Sequence, residues 1–485
     1  MAQETSFLRF ASPGEKRLIS REDLGFYHTI VVGAVYDFTP CPGVGDPIGS
    51  RSILSAFVEP LKRCVSKLPY LMVLAKDTTS ETPFYERVPT ININDHLSIV
   101  NTKNSRRDEQ WLEELLETLL DCPNPPNVPP WKVTICPIGR QQYYVLFSYS
   151  HAIGDGLVGP VFHRTLLEVW QQQETNQFEP TSVLVVPNIT LPEPFDTPGR
   201  LPISWSFLLG PLMAVLLPQF VAKWFGVRAH ASNVNEGTWT GSNIFFEPKT
   251  YRSRLKILTV NADQLRDTIK FSRAHNAKLT AIIHQLIVRA LSKCIADDKI
   301  TNFVSQTAIS MRAAVGASNA IWGNYASGHY GLHPRLVGQG PSRQQMWANA
   351  ASMSNEMAES ATRLNDQPLG LLKYAPSVRK WLFKKLGSKR DCSYEVSNCM
   401  AFDAGTDVSS QCSISNMILA QPGNVVGAPI NFNLVSVKGG SLVCTITWQQ
   451  GALDVPLGSE DALVDEIRES LKEGFAHIAG LVEKA

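Results

Sequence analysis

The chain has 485 residues, of which 44% are hydrophobic and 18% are charged, and its formal net charge at pH 7 is +1. This length exceeds one typical hydrophobic core, so we expect two domains. The balanced charge argues against a nucleic-acid-binding protein and gives no reason to expect an acidic partner.

The nine cysteines indicate a reducing compartment, because their number is odd and no two have CxxC spacing. A disulfide framework is therefore not expected. The N-terminal sequence MAQETSFLRFASPGEKRL lacks the apolar core of a secretory signal. Together these features predict a cytoplasmic protein.

The first half of the chain alternates predicted strands and helices. Ser50 is a candidate helix cap, although Pro60 lies within the helix that would follow. The clearest amphipathic helix covers residues 105–120, where leucines recur at spacings of three and four. The predicted strands cover residues 21–38, 84–88, 131–138 and 142–149, and a further helix covers 157–170.

The second half is also mixed. Predicted strands cover residues 255–260, 301–315, 320–333, 394–402, 414–419, 430–437 and 442–448. Two helices are predicted to begin after caps at Asn261 and Ser459, and two more cover residues 279–295 and 344–364. We interpret His284, within the apolar helix 279–295, as a core histidine. His329 and His333 have no carboxylate or cysteine beside them in the sequence, so no metal site is expected.

Two segments separate the halves. Residues 171–199 are rich in Gln, Glu, Thr and Pro and form the predicted linker. Residues 201–222 carry no charge over a length that could span a bilayer, but Pro202, Pro211 and Pro218 interrupt them. Three interpretations remain: a buried or lid-like insertion, an in-plane contact with a membrane or lipid droplet, and a spanning helix.

The stretch YYVLFSYSHAIGDG (143–156) predicts chemistry. Its first half has the aromatic and large apolar residues of a buried strand, and its second half is small and turn-forming. The strand therefore places His151 at its end, and the turn places Asp155 four residues later. A neutral imidazole held this way can take a hydroxyl proton near pH 7. A lone histidine after an apolar strand is, however, more often a half-buried structural residue.

The string HAIGDG has the form HxxxDG and lies between a predicted strand and a predicted helix. It resembles the active-site motif of the superfamily that includes chloramphenicol acetyltransferase, the BAHD acyltransferases, condensation domains and the alcohol acetyltransferases. LGFYHTIVVGAVY near the start is similar to the opening of the fungal and yeast-type alcohol acetyltransferases. The second half resembles them in SMRAAVG (310–316), WGNY (322–325), EVSN (395–398) and residues 419–451.

Two departures narrow the resemblance. The BAHD signature DFGWG is absent, and the corresponding region reads QPGNVVGAP. Ser150 stands where condensation domains have the first of their two histidines. The plant-type subgroup and a role in peptide synthesis are therefore disfavoured.

The resemblance implies an α/β fold of two chloramphenicol-acetyltransferase-like subdomains, with mixed β-sheets flanked by helices and a tunnel at their interface. We predict an N-terminal subdomain at residues 1–199, which carries HxxxDG, an apolar linker or lid at 200–242, and a C-terminal subdomain at 243–485. We expect a cytoplasmic monomer. Contact with the endoplasmic reticulum or lipid droplets would follow from the in-plane interpretation of 201–222.

The resemblance also implies roles for individual residues. His151 is the expected general base, which takes a proton from the acceptor hydroxyl as that oxygen attacks a thioester. Asp155 is expected to pair with Arg312 and, with Gly156, to organise the loop that holds the imidazole.

Asn324, Ser397 and Asn398 are the candidates for stabilising the oxyanion or positioning the substrate. No bound cofactor or metal is expected. Acetyl-CoA is the expected co-substrate, and the acceptor is a small or hydrophobic alcohol of secondary metabolism. The alternatives are a condensation-like enzyme that uses a carrier-protein thioester and a non-catalytic lipid-associated binding protein. The sequence leaves open the acceptor, the acyl-chain length and the oligomeric state.

Overall fold

A computed structural model describes residues 6–39, 53–100, 108–172, 181–197, 199–216, 232–338, 343–403 and 412–482. The predicted cap Ser50, part of the linker and the last six residues of the apolar segment 201–222 lie outside these ranges. The start of the helix predicted from residue 105 lies outside them too.

The secondary structure is mixed throughout. The strands, in chain order, are β1 (Phe7–Phe10), β2 (Ile30–Phe38), β3 (Val73–Lys76), β4 (Phe84–Arg87), β5 (Thr90–Asn92), β6 (Leu97–Ile99), β7 (Trp131–Pro137), β8 (Gln142–Tyr149), β9 (Val183–Val185), β10 (Ser253–Val260), β11 (Asn302–Ser310), β12 (Ala326–Pro334), β13 (Tyr394–Phe402), β14 (Cys412–Ala420), β15 (Ile430–Val437) and β16 (Leu442–Gln449). The helices are α1 (Pro13–Asp23), α2 (Ile53–Ser66), α3 (Glu109–Leu120), α4 (Val158–Gln171), α5 (Trp205–Leu216), α6 (Ala262–Ala274), α7 (Leu279–Cys294), α8 (Arg343–Thr362), α9 (Val378–Lys384) and α10 (Glu460–Val482).

Two large sheets organise these elements. The first has the strand order β14-β2-β8-β7-β6, and the second has the order β10-β16-β15-β13-β11-β12. Both are mixed, since β6 is parallel to β7 and β13 is parallel to β11 and β15, while the other neighbours are antiparallel. The predicted mixed α/β fold class is confirmed.

Strand β14 crosses from the second half of the chain into the first sheet. It pairs antiparallel with β2, with Ala420 opposite Val31 and Cys412 opposite Phe38. The two halves therefore share a sheet as well as an interface. The bounds of the three predicted segments, 1–199, 200–242 and 243–485, stay predictions.

Each large sheet has its own apolar core, and a third core joins them. Phe147 on β8 stacks on Phe162 of α4 in the first core, with ring centroids 3.9 Å apart. Helices α7 and α10 pack on the second sheet. Leu116 and Leu120 of α3 belong to a cluster that contains residues of both sheets. This arrangement fixes the position of one sheet relative to the other.

Several predicted elements agree with the structure in their type and nearly in their bounds. They include the hairpin β7–β8, the amphipathic helices α3 and α10, the apolar helix α7, and the hairpin β15–β16 with its turn at residues 438–440. Asn261 caps α6 as predicted, since its side-chain oxygen accepts a hydrogen bond from the backbone N–H of Gln264 at 2.8 Å.

The predicted strand 21–38 was wrong over its first part. Residue 21 belongs to α1, and the strand begins only at Ile30. Helix α1 starts with a capping box, in which Ser12 Oγ accepts from the N–H of Glu15 and Glu15 accepts from the N–H of Ser12. The predicted strand 301–315 likewise ends at Ser310, so that residue 312 lies in a turn.

The apolar segment contains one short helix in its described part, α5, with a proline inside it. Within the ranges given above, no helix combines the length and the apolar composition needed to cross a bilayer.

Candidate active site

Strand β8 carries the predicted catalytic histidine to the edge of the first core. The strand pairs with β2 on one side and β7 on the other and ends at Tyr149. Ser150 then caps a single 3-10 turn, His151–Ile153, because its Oγ accepts from the N–H of Ala152 at 3.0 Å. The imidazole is therefore held by a buried strand and a capped turn.

Two glycines of the motif are required by close packing. A Cβ at Gly154 would lie 2.5 Å from a methyl carbon of Val158, and a Cβ at Gly156 would lie 3.0 Å from the sulfur of Cys399. Any side chain at these positions would push the turn away from its neighbours.

A buried ion pair holds the turn from the other half of the chain. Arg312 Nη1 donates to Asp155 Oδ2 at 2.7 Å, and Nη2 donates to Oδ1 at 3.1 Å. The exposed fractions of the residues are 0% for Arg312 and 3% for Asp155. Asp155 also accepts from the backbone N–H groups of Tyr325 and Leu157, at 2.9 and 3.1 Å. Both carboxylate oxygens are thus occupied, so Asp155 is not placed to act as a second base.

The remaining donors of Arg312 bind backbone carbonyls. Nε and Nη2 donate to Ile321 O at 3.3 and 3.1 Å, and Nη2 also donates to Gly323 O at 3.2 Å. The guanidinium lies over the ring of Tyr325, 4.8 Å from its centroid. A charge buried to this extent is stable only when it is paired and hydrogen-bonded in this way.

The imidazole is oriented by Asn324. His151 Nδ1 and Asn324 Oδ1 lie 3.2 Å apart, and Asn324 Nδ2 donates to the carbonyl of Ala152 at 3.3 Å. Since the amide oxygen only accepts, the proton of the neutral ring lies on Nδ1 and the lone pair on Nε2. Tyr85 and Trp322 bind the carbonyls of residues 152 and 153, each at 2.6 Å, and stiffen the same turn.

The surroundings keep this histidine neutral. Burial lowers the pKa of His151 to about 4; the positive charge of Arg21 adds to this, while the ring's own backbone carbonyl and Asp155 oppose it. The residue is nevertheless not fully enclosed, because it keeps an intermediate solvent-accessible surface. A neutral, oriented ring that keeps some solvent-accessible surface can act as a general base.

The three oxyanion candidates lie in three different places. The amide of Asn324 contacts the imidazole through its oxygen and donates to the carbonyl of Ala152 through its nitrogen. Ser397 lies beside the motif, with its Oγ 3.9 Å from the position of a Cβ on Gly156. Asn398 donates to Thr280 Oγ1 at 3.0 Å, and so turns towards α7. The structure therefore brings Asn324 and Ser397 to the motif but not Asn398.

Sequence reasoning missed residues of α1 and the segment after it. The ring of Tyr27 lies 5.7 Å from the imidazole, and the guanidinium of Arg21 lies 4.3 Å from the centroid of Tyr27. The carboxylate of Glu22 accepts from Ser150 Oγ and, at 2.7 Å, from Asn124. Burial raises the pKa of Glu22. The predicted strand over 21–38 hid these residues, whereas the capping signal at residues 12–15 would have revealed the helix.

Three histidines of the second half have structural partners. His284 is the core histidine that we predicted: it is buried and contacts Tyr394 Oη and Thr307 Oγ1, each at 3.0 Å. His329 contacts Ser360, and His333 contacts Ser305. In the part of the chain that the structure describes, no three His, Cys, Asp or Glu residues are grouped as metal ligands.

The buried ion pair predicts a loss of stability in Asp155→Asn. This change leaves Arg312 charged and without its counter-ion, which costs about 3–5 kcal/mol of unfolding free energy. Chemical unfolding of the two proteins measures the difference. The exposed pair of Asp263 with Arg266 provides the matched control, since solvent screens it and Asp263→Asn should leave the unfolding free energy nearly unchanged. Equal stability of Asp155→Asn and the wild type would contradict the structural role.

Comparison with known proteins identifies the family of this chain. A model of the alcohol acetyltransferase family matches residues 93–464. A probable alcohol acetyltransferase of Aspergillus fumigatus is 21% identical over 72% of this chain and 72% of its own length. A second one, of Fusarium pseudograminearum, is 20% identical over 84% and 82%. An uncharacterised protein of Schizosaccharomyces pombe is 24% identical over 87% and 88%.

Solved structures show the fold. The trichothecene 15-O-acetyltransferase TRI3 of Fusarium sporotrichioides superposes with a TM-score of 0.63 at 12% identity and covers 97% of this chain and 99% of its own. The first condensation domain of the calcium-dependent antibiotic synthetase has a TM-score of 0.60 at 11% identity, with 99% of both chains covered. The predicted chloramphenicol-acetyltransferase-like fold is confirmed. The chain belongs to the alcohol acetyltransferase family and is an acyltransferase that acts on an alcohol.

Proposed function

We propose that this enzyme transfers an acetyl or other short acyl group from acyl-CoA to the hydroxyl of a small or hydrophobic alcohol, with His151 as the general base. The observation that carries the proposal is the state of the imidazole: neutral, with Nδ1 directed at Asn324 Oδ1 and Nε2 left with its lone pair. A base in this state accepts a proton without first losing one.

The reaction that we propose has two proton transfers: from the alcohol to His151, and from His151 to the leaving thiolate. His151 Nε2 takes the hydroxyl proton while the alcohol oxygen forms a bond to the thioester carbonyl carbon. The carbonyl electrons move to oxygen and give a tetrahedral oxyanion. As this collapses, the carbon–sulfur bond breaks and the thiolate receives the proton from Nε2, so that ester and free thiol leave and the neutral ring is restored.

Ser397 is the donor that we assign to the oxyanion. It lies on β13 beside Gly156, and its hydroxyl makes no hydrogen bond to any residue within the described ranges. Asn324 is less suitable, because its N–H group already binds a backbone carbonyl. A hydroxyl directed at the developing negative charge stabilises the transition state more than the ground state.

The His151→Ala enzyme should lose two to four decades of turnover, because the loss of a general base usually has this effect. Its melting temperature should stay close to that of the wild type, since the ring is neutral and its removal leaves the pair of Asp155 with Arg312 in place. His477→Ala, which removes an exposed histidine from α10, is the matched control and should keep full activity. Turnover of His151→Ala within a few-fold of the wild type would refute the role.

The assay that tests the proposal is release of free CoA from acetyl-CoA, measured by thiol titration against a panel of alcohols. CoA release that depends on the alcohol supports the proposal, and its absence with every alcohol contradicts the use of acyl-CoA.

In the same assay Ser397→Ala should lower kcat by about two decades and leave the KM values unchanged.

The lowered pKa of His151 predicts the pH dependence. The folded enzyme protonates this ring only near pH 4, so kcat/KM should stay level from neutral pH down to about pH 5 and fall below it. The unfolded chain binds the same proton near pH 6.5. Between about pH 6.5 and pH 4 the unfolded state therefore binds more protons than the folded state, and the contribution of His151 to the free energy of unfolding falls as the pH drops. Samples returned to pH 7 after acid exposure therefore control for unfolding.

Asn324→Asp provides the matched variant. A carboxylate against Nδ1–H favours the imidazolium form, so the acid limb of the profile should move to higher pH. Asn324→Ala should instead lower kcat without moving the limb upward. An acid limb near pH 6.5 in the wild type, or an unmoved limb in Asn324→Asp, would contradict the proposed state of the ring.

We also propose that α5 lies in the plane of a membrane surface and gives a cytoplasmic enzyme a peripheral contact with lipid. Trp205, Leu209 and Leu212 recur on one face of this helix, and the first two are 78% and 53% exposed. No charged residue interrupts residues 201–222, and tryptophan is typical of such interfaces.

Sedimentation with phosphatidylcholine vesicles tests this contact. The wild type should pellet with the vesicles, and the double substitution Trp205→Ser, Leu209→Ser should reduce the pelleted fraction at least several-fold. Leu457→Ser removes an exposed leucine far along the chain and should have no effect. Equal pelleting of the double variant and the wild type would contradict the contact.

A further inference from the structure

Arg21, in the last turn of α1, lies one aromatic ring away from the proposed base. Its guanidinium carbon is 4.3 Å from the centroid of the Tyr27 ring, and that ring is 5.7 Å from the ring of His151. Arg21 is only 5% exposed. The mechanism above uses its charge only through the pKa of His151 and gives its hydrogen-bond donors no role.

The hydrogen-bonding capacity of Arg21 is largely unused. Nη2 donates to Asn424 Oδ1 at 2.8 Å, whereas Nε is buried without a partner. Nη1 makes no hydrogen bond to any residue that the structure describes. A buried donor without an acceptor destabilises the folded state, so an arginine in this state needs an explanation.

Two other buried arginines of the chain show what a purely structural role looks like. Arg312 binds Asp155 and two carbonyls. Arg390 binds the carbonyls of residues 242, 424, 425 and 427. Both guanidinium groups are enclosed by acceptors from the protein. Arg21 differs, because one amide oxygen is the only acceptor that the described residues offer it.

Arg17 and Glu395 are charged groups that act on Arg21. Arg17 lies one helical turn earlier, and its charge acts on Arg21, on Glu395 and on the imidazole. The carboxylate of Glu395 acts on Arg21 with the opposite sign, and Glu395 shares the amide of Asn424 with Arg21. Burial lowers the pKa of Arg21 to about 10, which still leaves it charged at neutral pH. A site with this balance attracts an electron-rich oxygen.

The wall beneath the guanidinium is fixed in advance. Tyr27 Oη donates to Gln421 Oε1 at 2.6 Å, and Gln421 Nε2 donates to Asn433 Oδ1 at 2.8 Å. This chain of bonds joins the first half of the molecule to the second. The stacked pair of Arg21 and Tyr27 therefore offers its free N–H groups in one orientation, as recognition of a planar oxygen group requires.

We infer that Arg21 binds a carbonyl or carboxylate oxygen of a substrate held beside His151. The inference rests on the proposed function. Two substrates could supply that oxygen: an alcohol that carries a ketone, ester, lactone or carboxylate group, or the pantetheine amides of acyl-CoA. In the first case the acceptors are oxygenated alcohols rather than plain alkanols.

A matched pair of alcohols separates the two sources. Ethyl 3-hydroxybutanoate carries an ester carbonyl near its hydroxyl, and 2-octanol is an alkanol of similar size. Arg21→Met removes the donors at similar length, and Arg21→Lys keeps the charge without the planar group. Affinities for the two alcohols and for acetyl-CoA are measured by calorimetry, and KM values are measured wherever CoA is released.

If the acceptor supplies the oxygen, the wild type should bind the hydroxy ester at least tenfold more tightly than 2-octanol. Arg21→Met should abolish that ratio while the affinity for 2-octanol stays within threefold. If acyl-CoA supplies it, the Kd of acetyl-CoA should rise tenfold or more in Arg21→Met and the alcohols should be unaffected. The affinities of Arg21→Lys should lie between those of the wild type and those of Arg21→Met. Arg21→Lys serves as the test if Arg21→Met fails to fold.

Arg17→Met controls for charge alone, since it removes the same charge from the same helix; it should leave the ratio of the two alcohols unchanged. The inference would be overturned if Arg21→Met changed the affinities for both alcohols equally, or changed the affinity for none of the three ligands. A wild type that binds none of the three ligands would overturn it as well. Binding is read without turnover. A wild type that binds these ligands but never releases CoA would therefore count against the proposed function and not against Arg21.

Discussion

The ion pair between Asp155 and Arg312 is the interaction on which the site depends. It buries two opposite charges where the two halves of the chain meet, and it is completed by backbone groups from the segment that also contains Asn324. Neither half could keep its charge buried alone, because an unpaired buried charge is strongly destabilising. The turn that carries His151 therefore has its structure only when both halves are folded and in contact.

This dependence explains how a single imidazole can be neutral, oriented and accessible at once. The pair of Asp155 with Arg312 fixes the turn that carries His151. The segment before β12 brings Asn324 against Nδ1 of the ring, and burial of the ring lowers its pKa. Aspartate contributes through structure, since both its oxygens are occupied. Arg21 stacks on Tyr27 near the imidazole, and among the described residues only Asn424 accepts a hydrogen bond from its guanidinium, so the molecule contrasts one arginine saturated by protein with another that is not.

The sequence predicted the elements whose signals are local. The strand-turn string 143–156 and the amphipathic pattern of α3 lie as expected, since alternation, helical periodicity and turn residues act over a few positions. The pairing of Arg312 with Asp155 was expected from the family resemblance instead, and Arg312 lies in a turn and not in the predicted strand. Long-range pairings were not predictable. Strand β14 joins the first sheet through contacts with β2, the amide of Asn324 faces the imidazole rather than an oxyanion, and Arg21 was hidden within a mistaken strand. Each of these depends on segments that are far apart along the chain.

The state of His151 itself is the most direct test of the account. Nitrogen-15 NMR of protein labelled only in its histidine rings, assigned with His151→Gln and followed from pH 8 to pH 4, reports which ring nitrogen carries the proton and where the ring titrates. We expect the proton on Nδ1, an unprotonated Nε2 throughout the neutral range, and titration well below pH 6. A ring with its proton on Nε2, or one that titrates at or above the ordinary histidine value, would contradict the central claim.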